Sequence, residues 1–274
     1  MSAVIKLSAA ATSEFWEVPI LFEDEHLLAL NKPAGLLTSP DRYDLQRPSL
    51  MNLLHAGIAQ AKPWAKQRGL AYLMNAHRPD FETTGVLLLA KSKPILIALA
   101  NLFSAEKPDR VYVALVHGTP VQDRFEAGAR LAPHPARPGV MRVDEKQGKR
   151  SRTEFEVLEK YSGYTLMKCR PLTERTHQIR VHLRRAGLPI VGDALYGGSP
   201  LLLSRLKSEY RLKTNQVERP LISSTALHAE QLSLLHPVTG AHVSITAPWP
   251  RDLSVGVKYL RRYAALSGQT QPLS

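Results

Sequence analysis

The sequence predicts an α+β fold built on a largely antiparallel sheet, and three observations predict it. Short alternating or wholly apolar segments outnumber helical ones. Several are joined by hairpin-length turns, and the helical periodicities are few and brief. Residues 18–32 read as two strands around the acidic turn Glu23-Asp24-Glu25, the second ending at Asn31-Lys32-Pro33. Residues 34–48 carry Gly35, Pro40, Asp41 and Pro48 and read as a loop. Ser49 is placed to cap a helix with Leu50, Leu53, Leu54 and Ile58 on its apolar side. The run Val86 to Ala90, entered through Gly85, has the length and composition of a buried strand. A helix follows from Pro94 to Phe103, with proline where the first turn tolerates it.

Arg110 to Val116 alternates as a strand. Residues 119–150, rich in Pro, Gly, Arg and Lys, read as an exposed insertion, in outline a hairpin. Thr153–Leu158 and Tyr164–Cys169 pair as strands around Ser162-Gly163. Thr176–Arg185 is helical in pattern and stops near Gly187. Residues 197–220 read as a second surface excursion. Strands near 226–235 and 242–247 precede a C-terminal helix from Leu253 to Ala265.

Composition narrows the function classes. Thirty-six Lys and Arg against 24 Asp and Glu give +12, which favours polyanionic partners such as nucleic acid. The basic residues cluster, at Lys146, Lys149, Arg150 and Arg152 and again at Arg175, Arg180, Arg184 and Arg185, as a binding face does. No apolar run reaches the roughly 18 residues a membrane span needs. The N-terminal stretch lacks the pattern of a signal peptide, so a cytoplasmic location is expected. One cysteine, Cys169, leaves neither an internal disulfide nor a cysteine-based zinc site. His177 and His182 sit roughly 140° apart on a helix, so no metal site is expected from them. Phosphate-loop and nucleophile-elbow patterns are absent, and no nucleotide cofactor is implied.

Two stretches concentrate reactive groups. His77-Arg78-Pro79-Asp80-Phe81-Glu82-Thr83-Thr84-Gly85 sets a carboxylate two residues from an arginine, in a turn leading to a buried strand. A turn whose Asp and Thr only satisfy backbone amides fits the same letters. Arg175-Thr176-His177-Gln178-Ile179-Arg180-Val181-His182-Leu183, as a helix, gathers Arg175, Gln178 and His182 on one face beside an Ile179–Leu183–Ala186 stripe. A solvated basic face over a packed stripe accounts for that pattern equally well.

Together these stretches resemble the RluA-type RNA pseudouridine synthases. His77 to Gly85 resembles the family's H-R-L-D-x-x-T-S-G motif and aligns Asp80 with its catalytic aspartate. ILFEDEHLLALNKPAGLL (Ile20–Leu37) is similar to its opening strands and N-K-P-x-G-L turn. RVYVALVHG (Arg110–Gly118) places Tyr112 at its tyrosine, and RTHQIRVHL (Arg175–Leu183) places Arg180 at its arginine. Gly192-Asp193-Ala194-Leu195-Tyr196-Gly197, Leu227-His228-Ala229 and His236-Pro237-Val238-Thr239-Gly240 continue the likeness, in order, to about residue 252. Three positions depart from it: Pro79 stands for leucine, fixing φ and removing a donor, Thr84 for serine, and Glu174 for glycine.

The resemblance implies a bent, mostly antiparallel sheet flanked by helices and loops, with a catalytic cleft across it. It implies an extension over 1–17, a catalytic domain over 18–266 without a separate N-terminal RNA-binding module, and a tail over 267–274. The implied reaction is isomerisation of uridine to pseudouridine in a stem-loop of ribosomal or transfer RNA, by a monomer that uses no cofactor or metal. Asp80, Tyr112 and Arg180 are the implied catalytic residues, with Arg180 paired to Asp80 and Tyr112 packed on the flipped base. Arg78, Thr84, Arg175, His177, Gln178, Ile179, Lys149 and Arg150 are the implied substrate contacts. A non-catalytic RNA-binding or RNA-folding protein on the same scaffold is the alternative.

Overall fold

The computed structural model of the chain describes residues 3–9, 12–41, 44, 46–105, 107–212 and 216–266. In chain order the elements are β1 (Val4–Ala9), β2 (Glu14–Glu23), β3 (Leu27–Lys32), α1 (Leu50–Ala59), α2 (Pro63–Lys66), β4 (Met74–Asn75), β5 (Thr84–Ala90) and α3 (Lys93–Ser104). Then come β6 (Asp109–His117), β7 (Arg124–Pro133), β8 (Met141–Val143), β9 (Lys149–Tyr161), β10 (Tyr164–Pro171), α4 (Gln178–Arg185), α5 (Leu203–Leu206), β11 (Leu227–Leu235), β12 (His242–Thr246) and α6 (Arg251–Tyr263). This is the α+β mixture the sequence predicts. The expected tail over 267–274 lies outside the described residues.

The chain divides into two compact units. One holds the described residues up to Val111 together with Ala229–Pro248; the other holds Tyr112–His228 and the described residues from Trp249 onward.

In the first unit, β1, β2, β3 and β5 form an antiparallel run, continued by residues 229–235 of β11 and by β12. Both faces are covered. Leu28, Leu30, Leu87 and Leu89 pack with Leu50 and Leu54 of α1, while Ala29, Val86 and Leu88 pack with Ile95, Leu99 and Phe103 of α3. Two covered faces explain why residues 27–30 and 86–90 are apolar throughout instead of alternating. Ser49 caps α1 as expected, its Oγ accepting from Asn52 N at 3.3 Å. The stretch expected as an extension over 1–17 carries strand structure. β1 pairs with β2 over Val4–Ala9 and Glu14–Pro19, burying Ile5 and Leu7 under α1. Only alternate residues of β1 turn inward, too few to announce a strand in so short a segment.

In the second unit the strand order is β6-β10-β9-β7-β8. The stretch read as an insertion at 119–150 belongs to this sheet: β7 pairs with β9 from Arg124↔Glu156 to Leu131↔Lys149. Ile179 and Leu183 of α4 and Leu253, Val257 and Leu260 of α6 cover one face of the sheet. The helix expected from Thr176 begins at Gln178 because His177 sits at φ 54, in the left-handed region. The 197–220 excursion holds only α5, with residues 213–215 outside the described set.

Candidate active site

The site residues in the first unit lie on the loop between β4 and β5. Asp80 is partly buried, and the backbone around it is held at nearly every carbonyl. Thr38 Oγ1 donates to Pro79 O at 2.9 Å, Thr83 N to Asp80 O at 3.1 Å, and Gly35 N to Phe81 O at 3.1 Å. The Lys32 ammonium donates to Pro33 O at 2.9 Å, Phe81 O at 3.1 Å and Thr83 O at 3.0 Å. Lys32 is 0% exposed. Burial lowers its pKa to about 7, against the raising influence of Asp80 and Glu82. Three carbonyl acceptors use all three N–H bonds of an ammonium, which favours the protonated form.

Other letters of the 77–85 motif acquire physical reasons. His77 is a buried plug: its Nε2 accepts from Leu88 N at 3.0 Å, and its ring stacks on Phe103. Burial, assisted by the nearby Arg110 charge, lowers its pKa to about 3, so the ring is neutral. Gly85 stands at φ +106, and a Cβ there would lie 2.2 Å from Ala229 O, so only glycine fits. Pro79 is tied into the loop through its carbonyl. Arg78 is exposed, and Thr84, partly buried, opens β5.

The site residues in the second unit centre on α4. Arg180 is buried, and its guanidinium grips Asp193 with two bonds, Nε to Oδ2 and Nη2 to Oδ1, both 2.8 Å. The side chains are 6% and 1% exposed. This is a fork-to-fork pair in a dry setting, strong and directional. Beneath it lies the Tyr196 ring, 4.9 Å from the guanidinium carbon. The Tyr196 hydroxyl accepts from Met141 N at 2.9 Å and bonds His177 Nδ1 at 2.8 Å. Asp193 and Tyr196 stand in the Gly192–Gly197 motif, whose letters give neither a task. Lys32 and Thr38 give no sequence signal either, because a buried lysine and a loop threonine carry no periodicity.

Two expected substrate contacts point inward instead. Gln178 Nε2 donates to Arg152 O at 2.9 Å and to Thr153 Oγ1 at 3.0 Å, and its Oε1 accepts from Thr173 Oγ1 at 2.8 Å. Ile179 is a core residue. His182 continues the anchoring of α4, with Nδ1 on Thr153 Oγ1 and Nε2 on Ser151 Oγ, both 2.9 Å. The shared face predicted for Gln178 and His182 exists, and β9 covers it. Arg175 is partly buried: Nη1 donates to Glu174 O, while Nε is buried with no hydrogen-bond partner among the described residues. Tyr112 is partly buried on β6. Lys149 and Arg150 are exposed neighbours on β9 and so face opposite sides of the sheet. Among the described residues no group of His, Cys, Asp and Glu is arranged to hold a metal ion.

Comparison with known proteins extends this geometry. Residues 26–185 match the family described as RNA pseudouridylate synthase. Ribosomal large subunit pseudouridine synthase D of Xylella fastidiosa is 36% identical over 90% of this chain and 70% of its own length. Ribosomal large subunit pseudouridine synthase C of Salmonella typhi is 32% identical over 89% and 70% respectively. The solved structure of Human RNA Pseudouridylate Synthase Domain Containing 4 aligns with TM-score 0.68 and 23% identity, over 88% of this chain and 92% of that one, and so shares the fold.

Proposed function

The chain belongs to the RNA pseudouridylate synthase family, of the RluA type, and from that membership we propose that Asp80 is the carboxylate that isomerises uridine in ribosomal RNA. The protein is an RNA pseudouridine synthase; the finer assignments follow from chemistry and position. The reaction breaks the bond from uracil N1 to the ribose C1′ and forms one from C5 to C1′, moving a proton from C5 to N1. Atoms and electrons balance within the substrate, so the stoichiometry calls for no cofactor.

The observation that carries the reading is the immobilised loop around Asp80. Catalytic groups work when their geometry is fixed before substrate arrives, and here the carbonyls of Pro79, Asp80, Phe81 and Thr83 are all engaged. Asp80 is assigned to the sugar, as nucleophile at C1′ or as base. Tyr112 is assigned to the uracil face and the C5 proton, and Arg180 to keeping the acid ionised. The target base must leave its stack, at a cost of a few kcal/mol. The exposed guanidinium of Arg78 suits the space left behind, because its plane stacks on bases. Arg175 offers a buried donor in need of an acceptor. Thr84, His177, Lys149 and Arg150 complete the proposed contacts. The same reading has the protein act as a monomer in the cytoplasm. Among the described residues no helix is long and apolar enough to cross a membrane.

The test is Asp80→Asn, assayed by carbodiimide labelling of ribosomal RNA. Product should vanish while RNA affinity stays within a few-fold; parallel loss of binding and turnover would refute the assignment. Mapping pseudouridines in ribosomal and transfer RNA from a deletion strain identifies the substrate. A site lost from transfer RNA alone would contradict the ribosomal reading.

A further inference from the structure

The outer face of the β7–β8–β9 sheet separates its charges into two zones. At one end the Cα register sets Arg124 opposite Glu156 and Glu126 opposite Glu154, with Lys168 and Arg170 of β10 opposite Glu156 and Glu154. Arg152 closes this zone by a two-pronged pair with Glu126, and Arg124 bonds Glu156. Acids and bases alternate there, so the zone neutralises itself.

The other end does not. Arg130 lies directly opposite Arg150, and Ala132 opposite Arg142 of β8. Among the described residues neither Arg130 nor Arg150 meets a carboxylate, and the nearby Asp144 is committed to Arg142 at 2.7 Å and to the turn amides of Lys146 and Gln147. Like charges directly opposite on an antiparallel pair destabilise it. The face holds Arg130 in place regardless: its Nε donates to Gly148 O at 2.9 Å, in a turn so tight that a Cβ on Gly148 would lie 2.5 Å from the Arg130 backbone. A fixed guanidinium beside a second one, with acids kept to the far end, is arranged for an anion from outside.

We propose that Arg130 and Arg150 form a phosphate-binding patch that grips an RNA backbone. Lys149, although next to Arg150 in sequence, lies on the other face with Leu131 and Val143 and is not part of the patch. The occupant is an RNA backbone because the patch is cationic, exposed and without an apolar centre, and base-independent phosphate contacts need nothing more. The proposal rests on the reading of the chain as an RNA-modifying enzyme, and its test is kept separate from that activity.

The probe is an RNA duplex of guanine and cytosine only, which contains no uridine to modify. Its affinity is measured by fluorescence anisotropy across a salt series. Arg150→Thr should reduce the slope of log K against log salt by about 1, and Arg130→Ser with Arg150→Thr by about 2, at roughly 0.9 per lost phosphate contact. Arg124→Ser, in the neutralised zone, should leave the slope unchanged. Arg150→Thr should also raise or preserve the melting temperature, since it relieves the opposed charges. An unchanged slope in the double variant, or an equal drop in Arg124→Ser, overturns the patch. If the patch variants lose slope while Asp80→Asn retains turnover, the patch stands and the catalytic assignment fails.

Discussion

Lys32 is one of 36 Lys and Arg in the chain, and nothing in its immediate sequence separates it from the solvated majority. In the structure it is buried and holds the carbonyls of Phe81 and Thr83, in the turn that follows Asp80. Lys32→Met keeps the bulk but abandons those acceptors. Leaving buried carbonyls unmet should cost on the order of 3 kcal/mol by urea titration. Turnover should fall more than RNA affinity, because the loop loses its brace while the binding surfaces remain. Asp193→Asn addresses another buried charge. Breaking a buried pair strands its partner, and a loss of about 3–5 kcal/mol is expected; a change below ~1 kcal/mol in thermal melts would show that Arg180 does not depend on Asp193.

At the scale of elements, α4 depends on a neutral histidine. Ser151 Oγ donates to Ala129 O, so it accepts from His182 Nε2–H, which leaves Nδ1 to accept from Thr153. A second proton on the ring would have no acceptor, and burial with the Arg185 charge lowers the pKa to about 4. His77 behaves alike against β5, at about 3. Both values lie below the ordinary 6.5, so the unfolded chain binds the protons first. The stability they represent is complete above about pH 6.5 and declines as pH falls toward 4 and then 3, by up to about 1.4 kcal/mol per unit for each group. Urea midpoints taken between pH 7 and 4 should show the decline, and His182→Asn should flatten part of it. The β5 entry is tested by Gly85→Ala, which drives a methyl into Ala229 O and should abolish soluble folded protein or cost several kcal/mol. Periodicity reveals α1, α3 and α6 to within a few residues because their faces are apolar at regular spacing, and an unbroken apolar run reveals β5. α4 starts two residues after the Thr176 that the pattern gives, because a left-handed His177 obeys local turn geometry that no periodicity encodes.

At the scale of the molecule, the first strand belongs to the fold instead of preceding it. Ile5 and Leu7 reach the same core as Leu50 and Leu54, so Ile5→Ala should cost about 2–5 kcal/mol in thermal or urea unfolding, as for any buried large-to-small change. A dispensable extension would tolerate it without loss. The net charge of +12 is likewise a property of the whole chain, but its distribution is not uniform. On the outer face of β7 and β9 the bases Arg124 and Arg152 are met by Glu156 and Glu126, whereas Arg130 faces Arg150.

The sequence by itself determined the α+β class, the family, the absence of a disulfide and the identity of Asp80, Tyr112 and Arg180 as candidates. These follow from composition, from motifs in fixed order, and from apolar spacing that the chain carries locally. Only the tertiary structure decided that Lys32 and Thr38 brace the Asp80 loop, that Asp193 and Tyr196 hold Arg180, that Gln178 and His182 face inward, and that Arg150 partners Arg130 and not its neighbour Lys149. Each of those is a contact between residues far apart in sequence or on opposite faces of one strand. Hydrogen-bond partners and strand register are settled by which surfaces are buried together, and that is a property of the folded chain.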